Sequence, residues 1–146
     1  MYGRNETLRA MGRMMARYAQ SQDFDADLTI EAAPLLKEWK KGSMEEPASY
    51  IAGDVRTFDG QPWRCAQAHV HYGEDGWDPA KARALWVPYH ATKREYALPW
   101  VTPTNAEDAY NTGEWMIWTD GTAYQALRDA VVHGPDVLAD AWQAEA

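Results

Sequence analysis

The sequence predicts a mainly β fold with an α segment at its N-terminus: two tandem small modules, each a β-hairpin or three-stranded sheet, behind helical residues. Three observations predict it. First, Asp59-Gly60 separates Val55-Arg56-Thr57-Phe58 from Trp63-Arg64-Cys65, and Gly accepts the positive φ of a tight primed turn. Second, the layout recurs: Tyr110 and Gly113 repeat Tyr50 and Gly53 sixty positions on. Glu114 stands for Asp54, Gly121 for Gly60, Tyr124 for Trp63, Ala126 for Cys65, Pro135 for Pro79 and Trp142 for Trp86. A period of this length signals two copies of one supersecondary unit. Third, helical spacing is confined to the start of the chain, whereas all eight Trp lie at or beyond Trp39.

Taken in order, Asn5 to about Gln20 reads as a helix, with Asn5 or Thr7 as cap and Glu6 in the first turn. Leu8, Met11, Met15 and Tyr18 form a narrow apolar stripe; Arg9, Arg13 and Arg17 lie elsewhere on its surface. So thin a stripe on so short a helix needs a partner surface: its own modules, a copy of itself or a larger assembly. Residues 1–40 are therefore expected to anchor and oligomerise the protein as a homo-oligomer, a trimer among the options. A second helix is expected from near Asp25 to Ala33, with Leu28, Ile30 and Ala33 as its apolar positions and Pro34 ending it. Leu35, Leu36 and Trp39 form a patch that can dock on the first module, and 40–47 reads as a polar linker.

The first module is expected over 48–90, with a long loop at 72–83 marked by Gly73, Gly76 and Pro79. Residues 91–108 form a connector stiffened by Pro99 and Pro103, too apolar for a free tether. The second module is expected over 109–143, with strands at Trp115–Trp118 and Ala123–Leu127. Modules near 40 residues bury little surface, so large aromatics must fill them. Tyr50, Trp63, Trp86, Tyr110, Tyr124 and Trp142 recur between the copies and are the expected core.

Composition narrows the function. A net charge of −8 disfavours nucleic acid as a partner. No apolar run reaches the roughly 20 residues of a membrane span, so membrane insertion is not expected. The single Cys65 reads as a small buried hydrophobe, and Cys65, His69 and His71 lack the paired spacings of a closed zinc site. Acidic pairs such as Glu74-Asp75 are many, but small modules offer no deep cleft to hold two carboxylates across a sugar. No Gly-x-Ser-x-Gly or phosphate-cradling loop is present. The expectation is a non-enzyme with no cofactor, no metal and no catalytic residue. Sugar rings stack on exposed aromatics; of the candidates Trp63, Tyr72, Trp77, Trp86, Tyr89, Trp118 and Tyr124, those outside the shared core set are Tyr72, Trp77, Tyr89 and Trp118. These are the candidate carbohydrate-binding residues.

The pattern Tyr50, Gly53-Asp54-Val55, Asp59-Gly60, Trp63-Arg64-Cys65, Pro79 and Ala84-Leu85-Trp86 resembles the type 3 chitin-binding module, the small β module of carbohydrate-binding families five and twelve. The resemblance covers 48–90 well and 108–143 moderately. It is closest in kind to copies in phages and prophages, where a short helical segment precedes one or two modules. It implies a non-catalytic virion accessory protein, of decoration or fibre type, adhering to surface glycans and contacting other virion proteins. Such a protein sits on the virion surface, made in the bacterial cytoplasm and released by lysis, in keeping with the absence of a signal-like apolar stretch in residues 1–6. Alternatives are a purely structural cementing protein without a sugar ligand, or a targeting subunit for a separate lytic enzyme. Members that bind chitin carry adjacent exposed aromatics after the second strand begins. The matching positions, Gln67-Ala68 and Arg128-Asp129, hold none.

Overall fold

A computed structural model describes residues 26–145. The expected helix over Asn5–Gln20, with its anchoring stripe, lies outside the described residues. Nine strands in three sheets and one short α-helix make the described chain mainly β. It divides into two compact units between Tyr89 and His90.

The first unit begins with α1 (Ala26–Glu31), closed by Ala32 N–H donating to the Leu28 carbonyl at 2.9 Å. Pro34 then turns the chain into a 3-10 turn over Ala33–Leu35. The buried face corrects the expected one. Asp27, Thr29, Ala32 and Ala33 are buried, whereas Leu28 and Ile30 are half-exposed. A helix this short is placed by what it packs on, here the strand Gln61–Cys65, rather than by its own stripe.

The hairpin forms where the turn chemistry puts it. β1 (Ala48–Tyr50) is followed by β2 (Val55–Phe58) and β3 (Gln61–Cys65), the latter two joined by a two-residue turn. Asp59 and Gly60 have φ of 52° and 76°, the pair of positive values that a type I′ turn needs. β4 (His69–His71) pairs with β1 as a separate ribbon, and β5 (Trp86–Pro88) adds to β3. The free edge of β2 is covered by residues 37–39 running parallel to it. Thr57 donates its N–H to Lys37 O at 2.8 Å, and its carbonyl accepts from Trp39 N–H at 2.7 Å. Thr57 thus spends its backbone groups on 37–39, and its cross-strand partner, Pro62, needs no N–H there.

The expected polar linker at 40–47 is instead stitched down. Tyr50 Oη accepts from Lys40 N–H at 3.0 Å and donates to Lys40 O at 2.9 Å. Gly42 lies so close to His71 that a Cβ there would stand 2.0 Å from its carbonyl oxygen.

The second unit holds one four-stranded sheet, ordered β6 (Leu98–Pro99), β7 (Trp115–Ile117), β8 (Ala123–Ala126) and β9 (Trp142–Ala144). β6 is parallel to β7; the other pairs are antiparallel. The expected connector therefore belongs to the second unit as its edge strand. Asp108, fully buried, accepts the N–H groups of Thr104 and Asn105 and the Thr104 hydroxyl, fixing the loop before Tyr110. Tyr110, Met116, Ala126, Val131, Ala141 and Trp142 form the core, with Trp100, Trp118, Tyr124 and Leu138 packed on it.

The two units share one hydrogen-bond frame. Gly53 N–H donates to Cys65 O at 2.8 Å and Cys65 N–H to Asp54 O at 2.7 Å; Gly113 to Ala126 and Ala126 to Glu114 repeat these at 2.9 and 2.8 Å. Asp54 and Glu114 each return a carboxylate to the N–H three residues back, on Ile51 and Asn111. Ala66 N–H reaches Leu85 O at 2.7 Å, and Leu127 reaches Ala141 O at 2.8 Å. Tyr50 meets Trp86 edge-on at 5.0 Å and 77°; Tyr110 meets Trp142 at 5.3 Å and 69°. The frame also extends upstream of the expected modules. The Ala33–Leu35 turn and Trp39 match the Arg94–Tyr96 turn and Trp100, 61 positions on. Trp100 N–H donates to Ile117 O at 2.8 Å as Trp39 does to Thr57, and Val101 N–H donates to Tyr110 Oη at 3.2 Å where Lys40 meets Tyr50. Residues 33–39 are thus the first part of repeat one, not the end of a separate segment 1–40.

Candidate functional site

The strand His69-Val70-His71 alternates, so both imidazoles point to one face of the β1–β4 ribbon. Aromatic rings gather around them. His69 lies 5.3 Å from Tyr50 and meets Trp86 edge-on at 5.7 Å. His71 lies 5.3 Å from Trp39 and stacks on Trp77 at 5.9 Å and 27°. Trp39 in turn meets Phe58 edge-on at 5.7 Å. A ladder of rings, Phe58–Trp39–His71–Trp77, therefore runs from the hairpin end to the 72–83 loop.

Hydrogen bonds hold the ladder. His71 is buried, and both its nitrogens are occupied: Nδ1 accepts from Gly42 N–H at 3.0 Å, and Nε2–H donates to Glu74 O at 2.8 Å. Glu74 also accepts Tyr72 N–H on its carboxylate at 2.6 Å. The loop carrying Tyr72 is thus braced at two points. Tyr72 itself is 45% exposed. Lys41 Nζ meets Asp75 at 2.9 Å, and that contact holds the Asp75 carboxyl below the usual carboxylate range.

Cys65 and His69 converge on one carbonyl. Cys65 Sγ–H donates to Gln67 O at 3.1 Å, and His69 Nδ1–H donates to the same oxygen at 2.7 Å. Burial pushes the thiol pKa up, which disfavours the thiolate that a metal ligand or nucleophile needs. Among the described residues no group of three His, Cys, Asp or Glu side chains is placed to hold a metal ion.

The four sugar-stacking candidates have different surroundings. Tyr72 and Trp77 stand on one loop, the first exposed and the second half-buried on His71. Tyr89 instead packs on Leu36 and Val55, its hydroxyl buried without a partner among the described residues, and burial pushes its pKa up to about 12. Trp118 lies in the second unit, packed on that core and edge-on to Trp100 at 5.3 Å. A Cβ at Gly134 would stand 2.4 Å from the Trp118 ring, so the ring is seated on that backbone. Tyr89 and Trp118, like Trp77, are half-buried, each packed in part against a core of its unit.

Residue reading missed Trp39 and Phe58. The signal was present: Trp39 precedes Tyr50 by 11 residues and Trp100 precedes Tyr110 by 10. The positions matching the aromatic pair of chitin binders are exposed and used in local bonds. Gln67 Nε2 donates to Ala84 O, Arg128 pairs with Asp140 at 2.6 Å, and Asp129 accepts Thr112 N–H, which lowers its pKa. No helix among the described residues is long and apolar enough to cross a membrane. The chain matches no protein-family model and no curated protein.

Proposed function

We propose that the protein is a non-catalytic accessory protein of a phage or prophage virion, of decoration or fibre type, whose two carbohydrate-binding-like units serve adhesion to a surface glycan. The observation that carries the glycan reading is Tyr72: an exposed aromatic residue on a loop braced through Glu74, the same loop that carries the half-buried Trp77. A loop braced before the ligand arrives loses little backbone entropy on binding. The virion context rests on the resemblance of the repeated motif to phage-borne modules. The oligomer rests on the apolar stripe of residues 8–18, and many weakly binding copies would then act together through effective concentration.

The test is retention of the full chain on insoluble chitin, cellulose and bacterial cell-wall polysaccharide. Retention on at least one, abolished by Tyr72→Ala with the circular dichroism unchanged, supports adhesion. Absence of retention on all of them removes it. A second reading, structural cementing, is favoured by the exposed Leu127, Val132 and Val137 of the second unit. It predicts no retention, and binding to particle proteins that Val137→Asp weakens.

A further inference from the structure

We propose that the groove between the Ala33–Leu35 turn and the tip of the β2–β3 hairpin is a second saccharide site, taking a pyranose that carries no negative charge. The proposal rests on the adhesion reading and adds a site and a ligand class to it. The cavity measures about 540 Å³, within the usual range of ligand clefts. Its walls include Leu36, Glu38, Trp39, Phe58 and Asp59. Trp39 and Phe58, both half-buried, meet edge to face at 5.7 Å and both line the groove, so aromatic atoms face the space a sugar would enter. Glu38 and Asp59 are exposed carboxylates that accept bonds from hydroxyl or ammonium groups, and among the described residues no Lys or Arg lines the groove. A carboxylated or phosphorylated sugar would face like charge there. Above Gly60 the space is open, with no atom of the described residues within 4 Å of where a Cβ would stand.

The second unit shows what this site is not needed for. It builds the same ring pair, Trp100 edge-on to Trp118, but Trp118 is seated on Gly134 and on the core. The residue matching Gly134 in the first unit is Asp78, since Ala82 N–H reaches Asp78 O as Leu138 N–H reaches Gly134 O. The turn that borders the groove is Ala33-Pro34-Leu35, small and apolar, where the second unit has the bulkier Arg94-Glu95-Tyr96. One frame thus folds with this pair seated on its own loop, so the groove beside Trp39 and Phe58 is not a requirement of folding.

The experiment is a titration of the isotopically labelled full chain with cellotetraose, a glucosamine tetramer and tetragalacturonate, read by nuclear magnetic resonance. The expected result is shifts at Glu38, Trp39, Phe58, Asp59 and Gly60 with the first two sugars and none with tetragalacturonate. Phe58→Ala is expected to weaken binding about ten-fold. Glu38→Gln with Asp59→Asn keeps the turn, because Asn tolerates positive φ, and weakens the glucosamine tetramer more than cellotetraose. Shifts confined to the Tyr72–Trp77 loop, or equal groove shifts with tetragalacturonate, overturn the groove and leave adhesion standing. Absence of shifts with every sugar, together with no retention on any polysaccharide, overturns both.

Discussion

The two units solve one packing problem with different surpluses. Each closes a Gly–acid corner onto its third strand, sets a Tyr edge-on to a Trp, and covers the outer hairpin edge with a short parallel strand bearing a Trp. In the second unit nearly every ring is then used: Trp100, Trp118 and Tyr124 pack on one core. The first unit adds a His-bearing strand and a braced loop, and it ends with Tyr72 exposed and Trp39 and Phe58 beside an open groove. The shared part is what the fold requires. The first unit alone adds the His-bearing strand and the braced loop, and it leaves the groove beside its ring pair open.

Substitutions at matched positions test this, beginning with the largest effect. Trp86→Ala and Trp142→Ala each remove a core ring and should cost about 3–5 kcal/mol in chemical denaturation. Trp86 should cost more, being fully buried where Trp142 is 5% exposed. A cost below about 1 kcal/mol at either would break the equivalence.

Alkaline pH should act through the first unit. The Tyr89 phenol is pushed up to about 12, so the folded chain keeps its proton where an unfolded chain, at about 10, loses it. The Tyr89 contribution to stability is therefore full below pH 10 and falls as pH rises towards 12, by about 1.4 kcal/mol per unit between them. Tyr89→Phe should flatten this limb in denaturation against pH, and should not destabilise at pH 7, because the hydroxyl has no partner among the described residues.

Tyr50→Phe strands both backbone groups of Lys40 and should cost about 1–3 kcal/mol by thermal unfolding; Tyr110→Phe, which releases Val101 N–H, should cost about 1 kcal/mol. Smallest is the turn pair. Gly60→Ala and Gly121→Ala, at φ of 76° and 85° with open space around each, should cost about 1 kcal/mol apiece from backbone strain alone.

How much of this was readable follows from range. Asp59-Gly60 was legible because a type I′ turn depends on two adjacent residues. The repeat was legible because Tyr, Gly, Pro and Trp fall at matched spacings, and the rings it nominated as core, such as Tyr50, Trp86, Tyr110 and Trp142, are buried. The parallel edge strands were not, since three residues show no alternation and their partners lie about 20 positions away. For the same reason 33–39 and 91–108 read as segments outside the modules. Residue type does not say which face a ring presents; the contact of Tyr89 with Leu36 and Val55, which half-buries it, is visible only in the fold. Residue type nominates Tyr72 and Trp77 alike, but only folding stacks Trp77 on His71.

Native-state hydrogen exchange of the full chain tests the duplicated frame most directly. The amides of Gly53, Cys65 and Ala66, and those of Gly113, Ala126 and Leu127, should all exchange slowly, each trio as one set. Fast exchange across either trio, with the other protected, would contradict a frame built twice.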